Sequence, residues 1–307
     1  MNVLYNALRL RHLTPRLGVS EICEQLATLR DRSFFRNSSS YVNTDEMEVQ
    51  IEPLDKPYEG VFQLTLNRPH CRNAIGRKFL HEFREALSNV AQEHSTRCVI
   101  LKSSVPGVFC SGADLKERNN MTRRETETFV TLLRATFDEL ENLPMPTIAA
   151  IDGYALGGGL ELALACDLRV ASAGSTFAFP EVRLGIIPGA GGTQRLPRTI
   201  GSSQAKELIF SGRRISAEEA LKRGLVDYAV DENQAVAKAL ELAQEIAMGA
   251  PIALRMAKHA ISVGSQLDRA SGQLFERACY AQVVPTSDRL EGLKAFAERR
   301  QPEFTGE

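Results

Sequence analysis

Apolar residues follow two different periods along this chain from about residue 48 onward. Val61-Phe62-Gln63-Leu64-Thr65-Leu66 alternates apolar with polar, the pattern of a half-buried strand. Phe79, Phe83, Leu87 and Val90 recur at helical spacing, and Phe129, Leu132, Leu133, Thr136, Phe137 and Leu140 stripe a second helix. Cys98-Val99-Ile100-Leu101 and Thr147-Ile148-Ala149-Ala150-Ile151 are short apolar runs that predict strands, the second of them buried, and Leu168-Arg169-Val170 predicts another. Between the last two, the run from Leu160 to Cys166 predicts a buried helix. Strands alternating with helices imply βαβ units and largely parallel sheets. Past about residue 203 the pattern is helical: Ala205 to Phe210, Ala217 to Arg223, Gln234 to Met248, a helix opened by Pro251 and running through Ile261, and one from Leu267 to Gln282. No internal repeat is visible. The expected class is an α/β core with a helical C-terminal region.

The first forty or so residues differ. Met1 to Ser20 carries Arg9, Arg11 and Arg16 without an acid, and Leu4, Leu8, Leu10 and Leu13 give it one apolar side. Ser38-Ser39-Ser40 follows soon after Arg36. An Arg- and Ser-rich amphipathic leader resembles a mitochondrial transit peptide, which predicts a removable segment over residues 1–42 and a matrix location. Glu21, Glu24 and Asp31 run against that type, and the alternative is a tail that packs against nothing.

Composition removes several classes of function. The chain has 307 residues, 43% of them apolar, and a net charge of −1, so no global field favours nucleic acid or an anionic membrane. No run approaches the roughly 18–20 apolar residues of a spanning helix. Six cysteines are scattered without a C-x-x-C pair, which fits reduced thiols in a reducing compartment.

Candidate chemistry centres on Gly157-Gly158-Gly159-Leu160-Glu161, where Glu161 is the only charge between Asp152 and Asp167. A carboxylate in such an apolar run needs a partner or a use. The glycines let backbone approach a ligand and present bare N–H groups at a helix start. Phe109-Cys110-Ser111-Gly112-Ala113 follows a predicted strand and a Pro106-Gly107 turn, and its small residues free the Ala113 N–H; Gly158 offers a second. Two such donors make an oxyanion hole. Glu181, in Phe179-Pro180-Glu181-Val182, adds a second carboxylate. Each feature has a plainer reading: a tight turn, an acid favoured by a helix dipole, a solvated turn residue. Together they point to acid–base chemistry on a carbonyl compound. Gly189-Ala190-Gly191-Gly192-Thr193-Gln194 lacks the last glycine of G-x-G-x-x-G, no P-loop or G-x-S-x-G is present, and the five histidines show no metal spacing.

These residues resemble the enoyl-CoA hydratase (crotonase) superfamily: Asn67-Arg68-Pro69 with Asn73-Ala74, Ser111 to Lys116, Gly157 to Glu161, Pro180-Glu181, and Ile187 to Leu196. The likeness covers about residues 47 to 307. Ala113 to Arg118 and the tail Ala278-Cys279-Tyr280-Ala281-Gln282 with Arg289 to Gly292 are most similar to the branch of mitochondrial methylglutaconyl-CoA hydratases and enoyl-CoA hydratase domain-containing proteins. The resemblance implies a ββα spiral core over residues 43–250 and a helical trimerisation region over 251–307. It implies hydration of a 2-enoyl-CoA to a 3-hydroxyacyl-CoA, in fatty-acid or branched-chain amino-acid breakdown. Ala113 and Gly158 would hold the thioester oxygen, Glu161 and Glu181 would form the acid–base pair, and Asp114, Leu115 and Lys116 would line the CoA and acyl site with Ala113 and Gly158. No metal and no cofactor is implied, coenzyme A being part of the substrate. The expected partners are the acyl-CoA and further copies of the chain, as a trimer or hexamer, through Leu267, Leu274, Phe275 and Ala278, with Arg299 reaching a CoA phosphate. Ala178-Phe179 fills a pocket stretch with bulkier residues than is usual. Alternatives are an isomerase or thioester hydrolase of the same fold, or an RNA-binding homologue using a helix face; here that face carries Arg77, His81 and Glu85, the mixed charge of a solvated surface.

Overall fold

Successive side chains of a strand point to opposite faces, so a strand between two covered faces must be apolar on both. That rule organises the computed structural model, which describes residues 47–307; the leader expected over residues 1–42 lies outside them. Strands β1 (Val49–Pro53) and β2 (Val61–Leu66) lead through helix α1 (Arg77–Gln92) to β3 (Cys98–Ser103) and β4 (Val108–Cys110). Helices α2 (Leu115–Asn119) and α3 (Arg123–Glu141) precede β5 (Thr147–Ile151), β6 (Tyr154–Leu156) and α4 (Gly158–Leu164). Next come β7 (Leu168–Ser172), β8 (Thr176–Ala178), α5 (Gly192–Ile200), α6 (Ser202–Ser211), β9 (Ile215–Ser216), α7 (Ala217–Lys222) and β10 (Tyr228–Val230). Four helices finish the chain: α8 (Ala235–Ala247), α9 (Pro251–Gly264), α10 (Arg269–Val283) and α11 (Ser287–Glu298).

One sheet runs β1-β2-β3-β5-β7-β10 and the other β4-β6-β8-β9. Neighbours are parallel except β1 with β2 and β8 with β9. The pairs β3–β4, β5–β6 and β7–β8 each give one strand to each sheet before the chain turns helical. This strand–strand–helix repeat is the spiral expected.

The six-stranded sheet separates two apolar layers. Phe62, Leu64, Val99, Leu101, Ala149 and Ile151 face the main core, where Phe79 and Phe83 of α1 and Phe137 of α3 also pack. Val61, Cys98, Ile100, Ile148, Ala150 and Val170 face away from it, against Ala235, Ala239, Leu242 and Ala243 of α8. Those four recur at i, i+4, i+7 and i+8, one apolar stripe with small residues that let the helix lie close to the sheet. The half-buried reading of β2 is therefore corrected: all six of its residues are buried, Gln63 and Thr65 included. Helix α3 starts at a capping box in which the Thr122 hydroxyl accepts from Glu125 N–H (3.3 Å) and the Glu125 carboxylate accepts from Thr122 N–H (2.8 Å). Its stripe matches the pattern except at Leu132, which is partly exposed.

Helix α9 is tied to the core by Lys258, whose ammonium donates to Asp167 Oδ2 at 2.8 Å and to the Met145 carbonyl at 3.0 Å. Helix α10 packs on α9 and buries only Cys279. The stripe expected to be covered there is open in the single chain, with Leu267 and Leu274 exposed. No helix among the described residues is long and apolar enough to cross a membrane.

Lys258→Ala removes the cation and leaves the Asp167 carboxylate bonded only to the Thr147 N–H and hydroxyl, at 2.8 and 2.9 Å. The expected loss is about 1–3 kcal/mol of stability, to be measured by denaturant unfolding. An unchanged midpoint would show that α9 is held by apolar packing alone.

Candidate active site

Parallel strands that sit side by side place their C-terminal ends in one row. Ala113 follows β4, Gly158 follows β6 and Glu181 follows β8, so successive turns of the spiral bring together residues 45 and 23 positions apart. Ala113 forms an isolated bridge with Ile75, and the chain there is fixed by Ile75 N–H to the Gly112 carbonyl (2.8 Å) and Asp114 N–H to the Ile75 carbonyl (3.1 Å). No described residue accepts from the Ala113 or Gly158 N–H. A methyl carbon built on Gly158 would stand 3.6 Å from Ala113 N, which sets the two donors next to each other. Gly158 also begins α4, whose dipole favours negative charge at that point.

Glu161 lies one turn into α4 and is almost fully buried. Its Oε1 accepts from the N–H of Ala190 (2.8 Å) and of Gly192 (2.7 Å). Burial raises its pKa, and these two donors offset that only in part. The approach needs glycine, since a methyl carbon on Gly192 would lie 3.0 Å from both Glu161 Cγ and Oε1 and 2.9 Å from the Phe179 ring. The donor loop is itself clamped. Arg195 donates to the Ala190 carbonyl (2.9 Å) and to Glu141 Oε2 (2.9 Å from Nε), and pairs with Asp138, both acids standing on α3. A chain of bonds thus runs from α3 through Arg195 and Ala190 to the Glu161 carboxylate.

Glu181 opens a short 3-10 turn after Pro180. Its Oε2 is buried and has no hydrogen-bond partner. Burial, and then the nearby charge of Glu161, push its pKa up to about 7. Two carboxylates therefore share one cavity with unlike surroundings: one is met by two N–H donors, the other is met on one oxygen by none.

The cavity measures about 1040 Å³, and Ala113, Leu115, Arg118, Gly158, Glu161 and Glu181 lie on its wall. Of the residues singled out from the sequence, Asp114 and Lys116 are placed elsewhere. Asp114 caps α2, accepting from the N–H of Lys116 (3.1 Å) and Glu117 (3.0 Å), and pairs with Arg68 at 2.8 Å, which ties α2 to the Asn67-Arg68-Pro69 segment. Lys116 is exposed and off the cavity wall. Phe179 packs behind Gly192 in the core and does not line the cavity, so the expected pocket bulk is absent. Arg299 stands at the end of α11, also away from the cavity wall. Sequence reasoning missed Ala190 and Gly192 as donors to Glu161, and with them Arg195 and Arg118. The glycine run before α5 was the available signal, since it ends at a helix start where N–H groups lack partners.

Comparison with known proteins gives a consistent answer. A family model described as enoyl-CoA hydratase/isomerase matches residues 56–307. The mitochondrial enoyl-CoA hydratase domain-containing protein 2 of Mus musculus is 50% identical over 275 residues, 88% of this chain and 93% of that protein. The mitochondrial methylglutaconyl-CoA hydratase of Homo sapiens is 47% identical over 276 residues, 89% of this chain and 81% of that protein. Among solved structures, an enoyl-CoA hydratase from Bacillus anthracis superposes with a TM-score of 0.82 at 46% identity, over 85% of this chain and all of that one.

A carboxyl that titrates near 7 in the fold and near 4.5 outside it binds its proton more tightly when folded. Stability then falls as pH rises between those values and is level above the upper one. Glu181→Gln removes that loss. The variant should gain on the parent protein by up to about 3 kcal/mol between pH 4.5 and pH 8, read from denaturant midpoints across that range. A difference independent of pH would mean that Glu181 titrates normally.

Proposed function

We propose that this chain, which belongs to the enoyl-CoA hydratase/isomerase family, adds water across the C2–C3 double bond of a 2-enoyl-CoA thioester. The observation that carries the reading is the pair of unlike carboxylates beside two free N–H donors. In this reading the thioester oxygen sits against the Ala113 and Gly158 N–H groups. Glu161, whose charged form is favoured by the Ala190 and Gly192 N–H groups, takes a proton from a water whose oxygen bonds to C3. Glu181, protonated near neutral pH, gives its proton to C2. The negative charge that develops on the thioester oxygen between these events is met by donors already in place, the arrangement that lowers such barriers most. The net change is one water added, and the two glutamates return to their starting states through solvent. No metal or redox cofactor takes part, and coenzyme A enters as part of the substrate.

An isomerase needs a single base to move a proton between two carbons, so the second, raised-pKa acid favours hydration. The RNA-binding alternative finds little support, because the basic side chains of α1 face carboxylates: Arg77 with Glu125 (3.0 Å), Lys78 with Glu82 (3.7 Å), His81 with Glu85 (3.5 Å) and Arg84 with Glu139 (2.7 Å). Relatives named mitochondrial support a mitochondrial site of action, with residues 1–42 as the address. The breakdown of fatty acids or of branched-chain amino acids is the setting that fits. Relatives named for methylglutaconyl-CoA and for enoyl-CoA in general match to nearly the same degree, so their names do not choose the acyl group.

Hydration followed as loss of enoyl thioester absorbance should fall at least about 10²-fold in Glu161→Gln and in Glu181→Gln, with the far-ultraviolet spectrum unchanged. Turnover near that of the parent protein in Glu181→Gln would remove that residue from the mechanism. Activity should survive excess chelator.

The apolar residues open on α10 and α11, Leu274, Leu290, Leu293 and Phe296, support assembly of the C-terminal helices into a trimer or a hexamer. Light scattering should give three or six copies at micromolar concentration, and an active monomer would refute this.

A further inference from the structure

Gly189 and Ala190 share one peptide bond, and its two ends meet groups of opposite charge. The Ala190 N–H donates to Glu161 Oε1 at 2.8 Å in the protein interior. The Gly189 carbonyl accepts from both Nε (3.1 Å) and Nη2 (2.9 Å) of Arg134 on α3. A trans peptide is planar, with its C=O and N–H aimed in opposite directions. The guanidinium and the carboxylate are therefore joined by one run of hydrogen bonds through a single peptide group.

Helix α3 fixes this grip. Val130 stands one turn before Arg134, both on the cavity wall, and a methyl carbon on Gly189 would lie 3.1 Å from Val130 Cγ1. The loop thus rests on Val130 while Arg134 holds its carbonyl. Arg195 grips the next carbonyl, that of Ala190, but its charge is offset by Asp138 and Glu141. Arg134 forms no ion pair among the described residues, and both of its bonded nitrogens are given to the Gly189 carbonyl.

A cation on the carbonyl draws electron density out of the peptide and makes its N–H a stronger donor, since hydrogen bonds in a run polarise one another. A stronger donor favours the charged form of the carboxylate it meets. That matters here because burial raises the pKa of Glu161 and its donors offset this only in part. The other charges facing Glu161 are Arg195 of α5 and Arg118 of α2, which favour ionisation, and Glu181, which opposes it; Asp138 and Glu141 lie behind Arg195. Neither Arg118 nor Arg195 is joined to the carboxylate through a peptide that donates to it.

We propose that Arg134 is a positioning residue for Glu161: through the Gly189–Ala190 peptide it fixes the donor that holds the carboxylate, and it favours the ionised form in which Glu161 acts as base. The inference rests on the hydratase reading for the role of Glu161, but not for the coupling of Arg134 to its titration.

The test follows crotonyl-CoA hydration against pH in the parent protein, in Arg134→Met and in Arg134→Lys. Loss of the cation disfavours ionised Glu161, so the acid limb of the kcat profile in Arg134→Met should move to higher pH by about half to one pH unit. On that limb this is a loss of about 3- to 10-fold in kcat, which shrinks as pH rises toward the plateau while KM changes little. The guanidinium is exposed, so solvent screens part of its charge and limits the effect to that size. Arg134→Lys, which keeps the charge, should stay near the parent protein. Infrared titration of the protonated-carboxyl band that is lost in Glu161→Gln reads the same shift without turnover. If 2-enoyl-CoA thioesters are not hydrated but that band still moves in Arg134→Met, the hydratase reading falls and the coupling stands. A uniform loss of kcat at every pH with the band unmoved overturns the proposal and makes Arg134 a structural tie of the loop. So do a profile and a band equal to those of the parent protein. Should Arg134→Met fail to fold, Arg134→Gln, neutral but able to grip the carbonyl, takes its place under the same outcomes.

Discussion

Close approach of backbone at the Gly157-Gly158-Gly159 turn is the constraint on which the site depends. A methyl carbon on Gly159 would lie 2.3 Å from the Cys110 carbonyl oxygen, and one on Gly157 would lie 2.8 Å from Glu181 Oε1. The Gly159 contact is with backbone and cannot relax, and at Gly157 a side chain would displace the Glu181 carboxylate, so the turn needs glycine if β4, β6 and β8 are to end in register with that acid in place. Gly157 also takes a positive φ of 51°, and its N–H donates to the Ala178 carbonyl at 2.9 Å. The strand ends that carry Ala113, Gly158 and Glu181 are thereby locked to one another. A larger residue would separate the N–H donors from the acids.

Given that geometry, the two glutamates differ because their surroundings differ. Glu161 is the more deeply buried of the two, and two short N–H bonds offset part of the cost of its charge. Glu181 lacks such donors on one oxygen and sits near the negative charge of its neighbour, so it keeps a proton to about pH 7. Environments that push two carboxyls apart let one act as base while the other acts as acid at the same pH. The loop that makes the difference, Ala190 to Gly192, owes its position to Arg195 and to two acids of α3, about fifty residues earlier in the chain.

Support for this arrangement comes from a sheet that is covered on both sides. Main-core residues and α8 fix the six-stranded sheet between them, and interiors packed this densely resist small displacements. Lys258 then carries the C-terminal helices onto the same framework through Asp167. Those helices keep an apolar outer surface, so the single chain encloses the cavity with both glutamates but leaves a face open.

The sequence by itself determined the elements with a strong period, the α/β class, and the pair Glu161 and Glu181 beside the glycine turn. Each of those is a local property: a stripe repeats within one helix, and a lone acid in an apolar run is visible where it stands. It did not determine burial of the second face of β2, because the covering helix lies at residues 235–247. Nor did it distinguish Asp114, spent on a helix cap and on Arg68, from a residue facing the cavity. Arg134 was equally hidden, since which group an arginine grips depends on what the fold brings within reach. Periodicity reports how a segment divides its own faces. Only the tertiary structure decides what meets each face, and it is that meeting which satisfies a charge or leaves it unmet.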